Sequence, residues 1–289
     1  GAVTAVLGLE GTMEAAVAGI LRENGITLPF SEESERQAAA CGDTVDPAEA
    51  ARRLDLRDKV IFTIDGDDAK DFDDAVSLEI LENGHYELGV HIADVSHYVT
   101  PGSPLDDEAW RRGTSVYYPG HVIPMLPFAL SHGICSLNPD TDRLTFSALM
   151  EVDKDGRRYH CRFAKSVIHS KARMTYRNVN RILDGDTALR EKYVELVPVF
   201  ERMAALAEAT RKRRMERGAL DLDIPEAEII VDETGMPTDV QYRDRGAAEK
   251  LIEEFMLLAN EAVAEYLDRR DAPSVFRIHE KPDPDKLRA

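Results

Sequence analysis

Six aspartates fall between positions 65 and 74: Asp65, Asp67, Asp68, Asp71, Asp73 and Asp74, offset only by Lys70. Carboxylates crowded this closely repel one another, and a folded chain keeps them together only when cations or protons neutralise them. Hard divalent ions such as Mg²⁺ suit that task. They take oxygen ligands and leave positions for water and substrate phosphates. A solvated acidic loop is the plainer reading, and two features argue against it. Apolar Phe72 interrupts the acids, and Ala75, Val76 and Leu78 resume a buried pattern directly after them. An EF-hand fails on spacing. With Asp65 in the first loop position, Lys70 stands where the turn glycine belongs and Val76 where the bidentate Glu belongs.

The elements that must position this cluster are legible around it. Val60, Phe62 and Ile64 alternate in a β-branched and aromatic run, so a strand leads into Asp65. Residues 76–81 and 85–93 read as a hairpin about Asn83-Gly84, and 144–152 with 159–168 as a second about Asp155-Gly156. Asp94, at the end of the first hairpin, is either a turn stabiliser or a further metal ligand. Thr12 caps a helix over Met13, Val17, Ile20 and Leu21 that Asn24-Gly25 stops, and an alanine-rich helix follows at 35–40. Further helices are expected at 104–112, 176–184, 188–217 and 247–268, with strands at 228–232 and 239–243 around Thr234-Gly235. Residues 113–140, rich in Pro, Gly and aromatics, read as a long loop of the kind that serves a function.

Three stretches, TIDGDDAKDFDDAV at 63–76, VHIADVSHYV at 90–99 and YYPGHVIPMLP at 117–127, resemble the ribonuclease II/R (RNB) family in the family's own order. The resemblance implies an α+β fold: a mixed, mostly antiparallel sheet wrapped by helices around an RNA channel. It implies a Mg²⁺-dependent (alternatively Mn²⁺-dependent), processive 3′-to-5′ exoribonuclease that hydrolyses single-stranded RNA to 5′-nucleotides. Asp65, Asp71, Asp73 and Asp74 match the family's four aspartates, whereas Asp67 and Asp68 do not. Asp65 and Asp74 are thereby the firmest metal ligands. Asp71 and Asp73 join them, and Asp73 is the residue whose loss should damage turnover most. Tyr117 and Tyr176 match aromatics that flank the terminal nucleotides; ordinary packing is the competing role for each.

In the 247–268 helix, Leu251, Phe255, Leu258, Ala262 and Tyr266 share one face, and Glu253 and Asn260 lie on the other. That second face is either a wet exterior or, as the resemblance favours, the polar floor of a channel. Glu253 is preferred over Glu254 there. The basic run Arg211, Lys212, Arg213, Arg214 and Arg217 could follow a phosphate backbone, but it equally suits the negative end of a helix.

In domain terms, 1–55 reads as a lead-in that would follow a cold-shock domain, and 56–289 as the catalytic domain. Relative to the family's pattern the chain stops before an arginine-bearing segment and an S1 domain, so those parts and the cold-shock domains are expected partners, together with single-stranded RNA. A net charge of −18 argues against broad electrostatic attraction to nucleic acid, so metal ions or a local basic channel would have to meet the phosphates. Three scattered cysteines suggest neither a disulfide framework nor a zinc site. His91, His97, His121, His132 and His279 lack ligand spacing, and no phosphate-binding glycine loop is present. No apolar run approaches a membrane span and no signal peptide opens the chain, so the expected compartment is the cytoplasm. The rival functions are a catalytically silent RNA-binding or scaffold fragment, and a metal-dependent phosphodiesterase acting on another nucleotide substrate.

Overall fold

Side-chain caps start the first helices of the computed structural model, which describes residues 3, 5–26, 29–220, 226–232, 235–243, 245–278, 280–286 and 288. The Thr12 hydroxyl accepts the Ala15 N–H at α1 (Met13–Glu23). Ser31 and Asp46 do the same for α2 (Glu32–Ala40) and α3 (Pro47–Ala50). Then come β1 (Leu54–Asp55), β2 (Ile61–Asp65), β3 (Asp74–Ile80), β4 (Tyr86–Ala93) and α4 (Pro104–Arg112). A small hairpin, β5 (Val116–Tyr118) and β6 (His121–Ile123), precedes the long strands β7 (Asp142–Val152) and β8 (Arg158–His169). Strand β9 (Ala172–Thr175) runs directly into α5 (Tyr176–Leu183), followed by α6 (Thr187–Lys192) and α7 (Val197–Glu216). The hairpin β10 (Glu226–Val231) and β11 (Pro237–Arg243) leads to α8 (Ala247–Asp268).

Seven strands make one sheet in the order β1-β8-β7-β4-β3-β2-β9. Its pairs are antiparallel except β1 with β8 and β2 with β9. The α+β class with a mixed, mostly antiparallel sheet is therefore as expected. One face presents Phe62, Ile64, Val76, Leu88, Val90 and Met150 to Val179, Phe200, Met203, Leu251 and Phe255 of α5, α7 and α8. Burying such side chains stabilises the domain by about 1.5–3 kcal/mol each before entropy is counted. Glu254 of α8, 1% exposed, is gripped by the Arg214 guanidinium of α7, which ties the two long helices together.

The other face carries a buried polar row. His91 lies between Ser77 Oγ (3.0 Å) and Ser147 Oγ (2.7 Å), and Ser147, Ser166 and Thr145 continue the chain at 2.6–2.7 Å. Burial, with Lys59 nearby, lowers the His91 pKa to about 3, so the ring is neutral and serves structure.

Three expectations need correction. The helix read at 188–217 is two helices: the first ends at Tyr193, with φ −114° and ψ 35°, and the second restarts at Val197 with Pro198 in its first turn, where the missing N–H goes unneeded. Segment 113–140 is not structureless: it folds as the β5–β6 hairpin, turning at Gly120 with φ +76°, and a π-helical turn, Ala129–Ile134. Strand β9 was not foreseen. The hairpin at 226–243 forms as expected, although Thr234 of its turn lies outside the described residues, as does His279. The lead-in packs on the domain: Ser34 Oγ donates to Pro104 O (2.9 Å), and the Leu105 N–H donates to Gln37 Oε1 (3.1 Å).

Gly89 sits where the sheet is tightest. A Cβ there would lie 2.3 Å from Ser77 Oγ and 2.6 Å from His91 Nε2. Gly89→Ala should destabilise the fold by about 2–3 kcal/mol in urea unfolding. Gly84→Ala, at a turn with open space but φ +79°, should cost about 1 kcal/mol. Equal losses at the two sites would show that the polar row has room to give.

Candidate functional site

Asp65 ends β2 and Asp74 begins β3, so the acidic segment is the loop that reverses the chain between two central strands. Its backbone is tied on several sides. The Phe72 N–H donates to Ser136 Oγ (3.0 Å), and that hydroxyl donates to Lys70 O (3.1 Å). The Leu137 N–H donates to Phe72 O (2.8 Å), and the Ala93 N–H to Asp73 O (2.9 Å). Phe72 itself is buried with Leu56, Ile61, Ala75 and Ile168. From β9, Arg173 Nη2 is shared among the carbonyls of Gly66 (3.2 Å), Asp67 (2.6 Å) and Ala69 (3.3 Å). The same guanidinium lies 5.2 Å from the centre of the Phe72 ring. The loop is thus fixed from beneath by one buried ring and from the side by one arginine.

This fixation forces the carboxylates to share a field. Burial, then the charge of Asp74, raises the Asp65 pKa to about 7. Burial, then Asp73, raises Asp74 to about 6. Asp73 is raised by desolvation and by Asp71, even though its side chain opens to solvent at the mouth of the loop. Buried Asp65 Oδ2 has no hydrogen-bond partner. An orphaned hard oxygen among carboxylates that resist ionisation fits a divalent cation in donor chemistry and in charge. As they lie, however, no three His, Cys, Asp or Glu side chains among the described residues stand close enough together to hold a metal ion. The donors fit; they are not preassembled into a coordination sphere.

The other residues singled out from sequence fall in different places. Tyr117 joins the cluster: its ring is 68% exposed and its hydroxyl donates to Asp71 Oδ2 at 3.3 Å. Tyr176 is the first residue of α5, immediately after Thr175, which pairs with Asp65; it is half-buried against the main core. Glu253 is part-exposed on α8 and its ion pairs among the described residues are with Arg245 and Arg214, so none joins it to the aspartates. Within the basic run at the end of α7, Arg214 and Arg217 serve interhelical packing, since Arg214 meets Glu254 and Arg217 meets Glu261 at 2.9 Å. Asp94 has the stabilising role, paired with Arg53 (2.7 Å) and Lys165 (3.4 Å) and accepting from Ser96 Oγ. Sequence reasoning gave no site role to Ser136 and did not foresee the Arg173 contact. The only signal for the latter was the short alternation Arg173-Met174-Thr175, with Met174 pointing into the core.

The raised carboxylates make a pH prediction for the metal-free chain. Unfolded aspartates release their protons near pH 4, whereas folded Asp65 and Asp74 hold theirs to about 7 and about 6. The folded state therefore binds more protons between those limits, and its stability falls as pH rises from about 4 to 7. Asp65→Asn should flatten that fall. Comparing urea midpoints of wild type and Asp65→Asn across this range cancels the other titrations, including the opposite one of His91. Parallel curves would refute the coupling.

Comparison with known proteins gives a consistent result. The RNB domain family model matches residues 53–289. Ribonuclease R of Thermotoga maritima is 53% identical over 259 residues, 89% of this chain and 36% of that protein. Ribonuclease R 1 of Lactococcus lactis subsp. lactis is 47% identical over 287 residues, 99% of this chain and 35% of that relative. The structure of Mycoplasma genitalium RNase R in complex with ribose methylated single-stranded RNA matches with a TM-score of 0.89 at 31% identity, over 98% of this chain and 44% of that one. The chain spans about a third of the length of these curated relatives. On the aspartate loop, the fold and these matches together, the chain belongs to the RNB domain family.

Proposed function

We propose that this chain is the catalytic part of a Mg²⁺-dependent, processive exoribonuclease that shortens single-stranded RNA from its 3′ end and releases 5′-nucleotides. The observation that carries the proposal is the set Asp65, Asp71, Asp73 and Asp74, mutually coupled on a loop fixed at both ends, with Tyr117 reaching Asp71. Bound Mg²⁺ or Mn²⁺ would supply an activated water and charge stabilisation on the scissile phosphate. Asp65 and Asp74 would hold it at the neck of the loop, with Asp71 and Asp73 completing the donors. Such a cation would favour the ionised forms of Asp65, Asp73 and Asp74, which burial and neighbouring charges otherwise oppose.

The exposed Tyr117 ring would present a face on which a base stacks, worth about 1–3 kcal/mol and tolerant of sequence. Tyr176 and Glu253 would line the approach of the terminal nucleotides. The RNA-bound state of the Mycoplasma structure supports single-stranded RNA as the ligand class. Because the chain covers about a third of its relatives, turnover would draw on further parts of the protein, among them an arginine-bearing segment and S1 and cold-shock domains. A cytoplasmic location belongs to the same reading, and no helix of the described residues is long and apolar enough to cross a membrane.

The test uses a complete protein containing this chain and a single-stranded RNA labelled at its 5′ end. With Mg²⁺ the labelled product should shorten to a small end product, and EDTA should stop the reaction. Release of the label as a mononucleotide at the outset would reverse the polarity, and full activity in EDTA would remove the metal from the reading. Asp73→Asn should lower kcat by at least about 10²-fold while RNA affinity stays similar or rises, because the change removes transition-state stabilisation and a repulsive charge together. Equal losses of affinity and rate would reduce Asp73 to a structural residue and favour a silent RNA-binding role.

A further inference from the structure

Two arginines from one short stretch meet the aspartate loop in different ways. Arg173 is committed: its Nη2 serves three backbone carbonyls, and its Nε is buried. Arg177 stands four residues later, in the first turn of α5, with 66% of its side chain exposed. Among the described residues its one ion-pair partner is the carboxylate of Asp67, itself 40% exposed. Asp67 lies outside the set of four coupled aspartates, so its charge has no place in the proposed metal chemistry.

An exposed ion pair of this kind contributes about 0–1 kcal/mol, so exchanging its partner costs little. A guanidinium forks a phosphate as readily as a carboxylate, through two parallel N–H···O bonds. The location favours a phosphate. Arg177 follows Tyr176 and Thr175, and Thr175 is in register with Asp65, so the guanidinium projects at the end of the sheet where the aspartates gather. On a chain of net charge −18, a releasable cation at that mouth is what a polyanion would need.

We propose that Arg177 binds a backbone phosphate of single-stranded RNA, and that Asp67 occupies its guanidinium when no RNA is present. This makes Arg177 a substrate-binding residue and Asp67 an internal competitor that lowers affinity for weakly bound anions. The proposal rests on the exoribonuclease reading for its ligand.

A double-mutant cycle in a complete protein containing this chain tests it, with a single-stranded RNA of fixed length binding in EDTA so that no hydrolysis intervenes. Arg177→Ala should weaken binding about tenfold, as loss of a charge-assisted contact does, and Arg177→Lys should recover part of the loss. The slope of log affinity against log salt should fall by about 0.7 in Arg177→Ala, the value for one phosphate contact on a single strand. Asp67→Asn should tighten binding severalfold in the wild-type background and have no effect in Arg177→Ala. Melting temperatures of all variants should stay together, since both side chains are exposed. Wild-type affinity and slope in Arg177→Ala would overturn the proposal. Equal tightening by Asp67→Asn in both backgrounds would do the same, since it would mean general charge removal. If the unaltered complete protein binds no RNA at all, the exoribonuclease reading falls first and this inference with it.

Discussion

Mutual repulsion among the carboxylates at the β2–β3 turn is the constraint on which the rest of the site depends. Left to themselves, four aspartates on a flexible loop would spread into water and lose their coupling. Here the loop cannot spread. Its backbone is bonded to Ser136, Leu137, Ala93 and Arg173, and Phe72 is buried beneath it. The stability of the surrounding sheet therefore holds these carboxylates where burial first, and their neighbours' charges second, raise the pKa values of Asp65, Asp73 and Asp74. A site strained in this way gains from a cation, and strain of this type is commonly concentrated at functional positions.

The sheet can bear that load because its two faces are closed by different means. One is apolar and covered by α5, α7 and α8, with the Arg214–Glu254 pair between the long helices. The other carries a hydrogen-bonded row from Ser77 through His91 to Ser166 beside an apolar patch of Ile61, Ala75, Leu149 and Ile168. Truncating one member of such a row would leave a buried polar atom unpaired, which costs more than the bond itself contributes. Gly89 belongs to the same arrangement, since only the absence of a side chain lets the Ser77–His91 contact form.

Arg173 and Arg177 illustrate how one stretch can divide structural and binding roles. The first is held by several weak bonds that must all break together. The second makes a single solvent-exposed pair. What separates them is a strand-to-helix junction: Arg173 lies within β9, alongside β2, while Arg177 is already on α5.

Much of this was legible in the residues themselves. Period-two alternation located β2, and the turns at Asn83-Gly84 and Asp155-Gly156 located the β3–β4 and β7–β8 hairpins, because hairpins are governed by neighbours in sequence. The helix caps at Thr12 and the bounds of α8 were equally local. The density of aspartates, broken by Phe72, was enough to mark the chemistry and to exclude an EF-hand. Other features were decided only by the folded chain. Strand β9 is four residues long and its parallel pairing with β2 joins segments about a hundred residues apart, so no local pattern announces it. The shared Arg173 contacts follow from that pairing. Glu254 lies at the edge of the apolar stripe, where Arg214 of another helix meets it and buries it, while Glu253 on the opposite face stays part-exposed. Between turn stabiliser and further ligand, Arg53, far away in sequence, decides for the former at Asp94 by pairing with it. Residue type and spacing determined which groups could do chemistry, and only the long-range pairing of the sheet determined which of them meet.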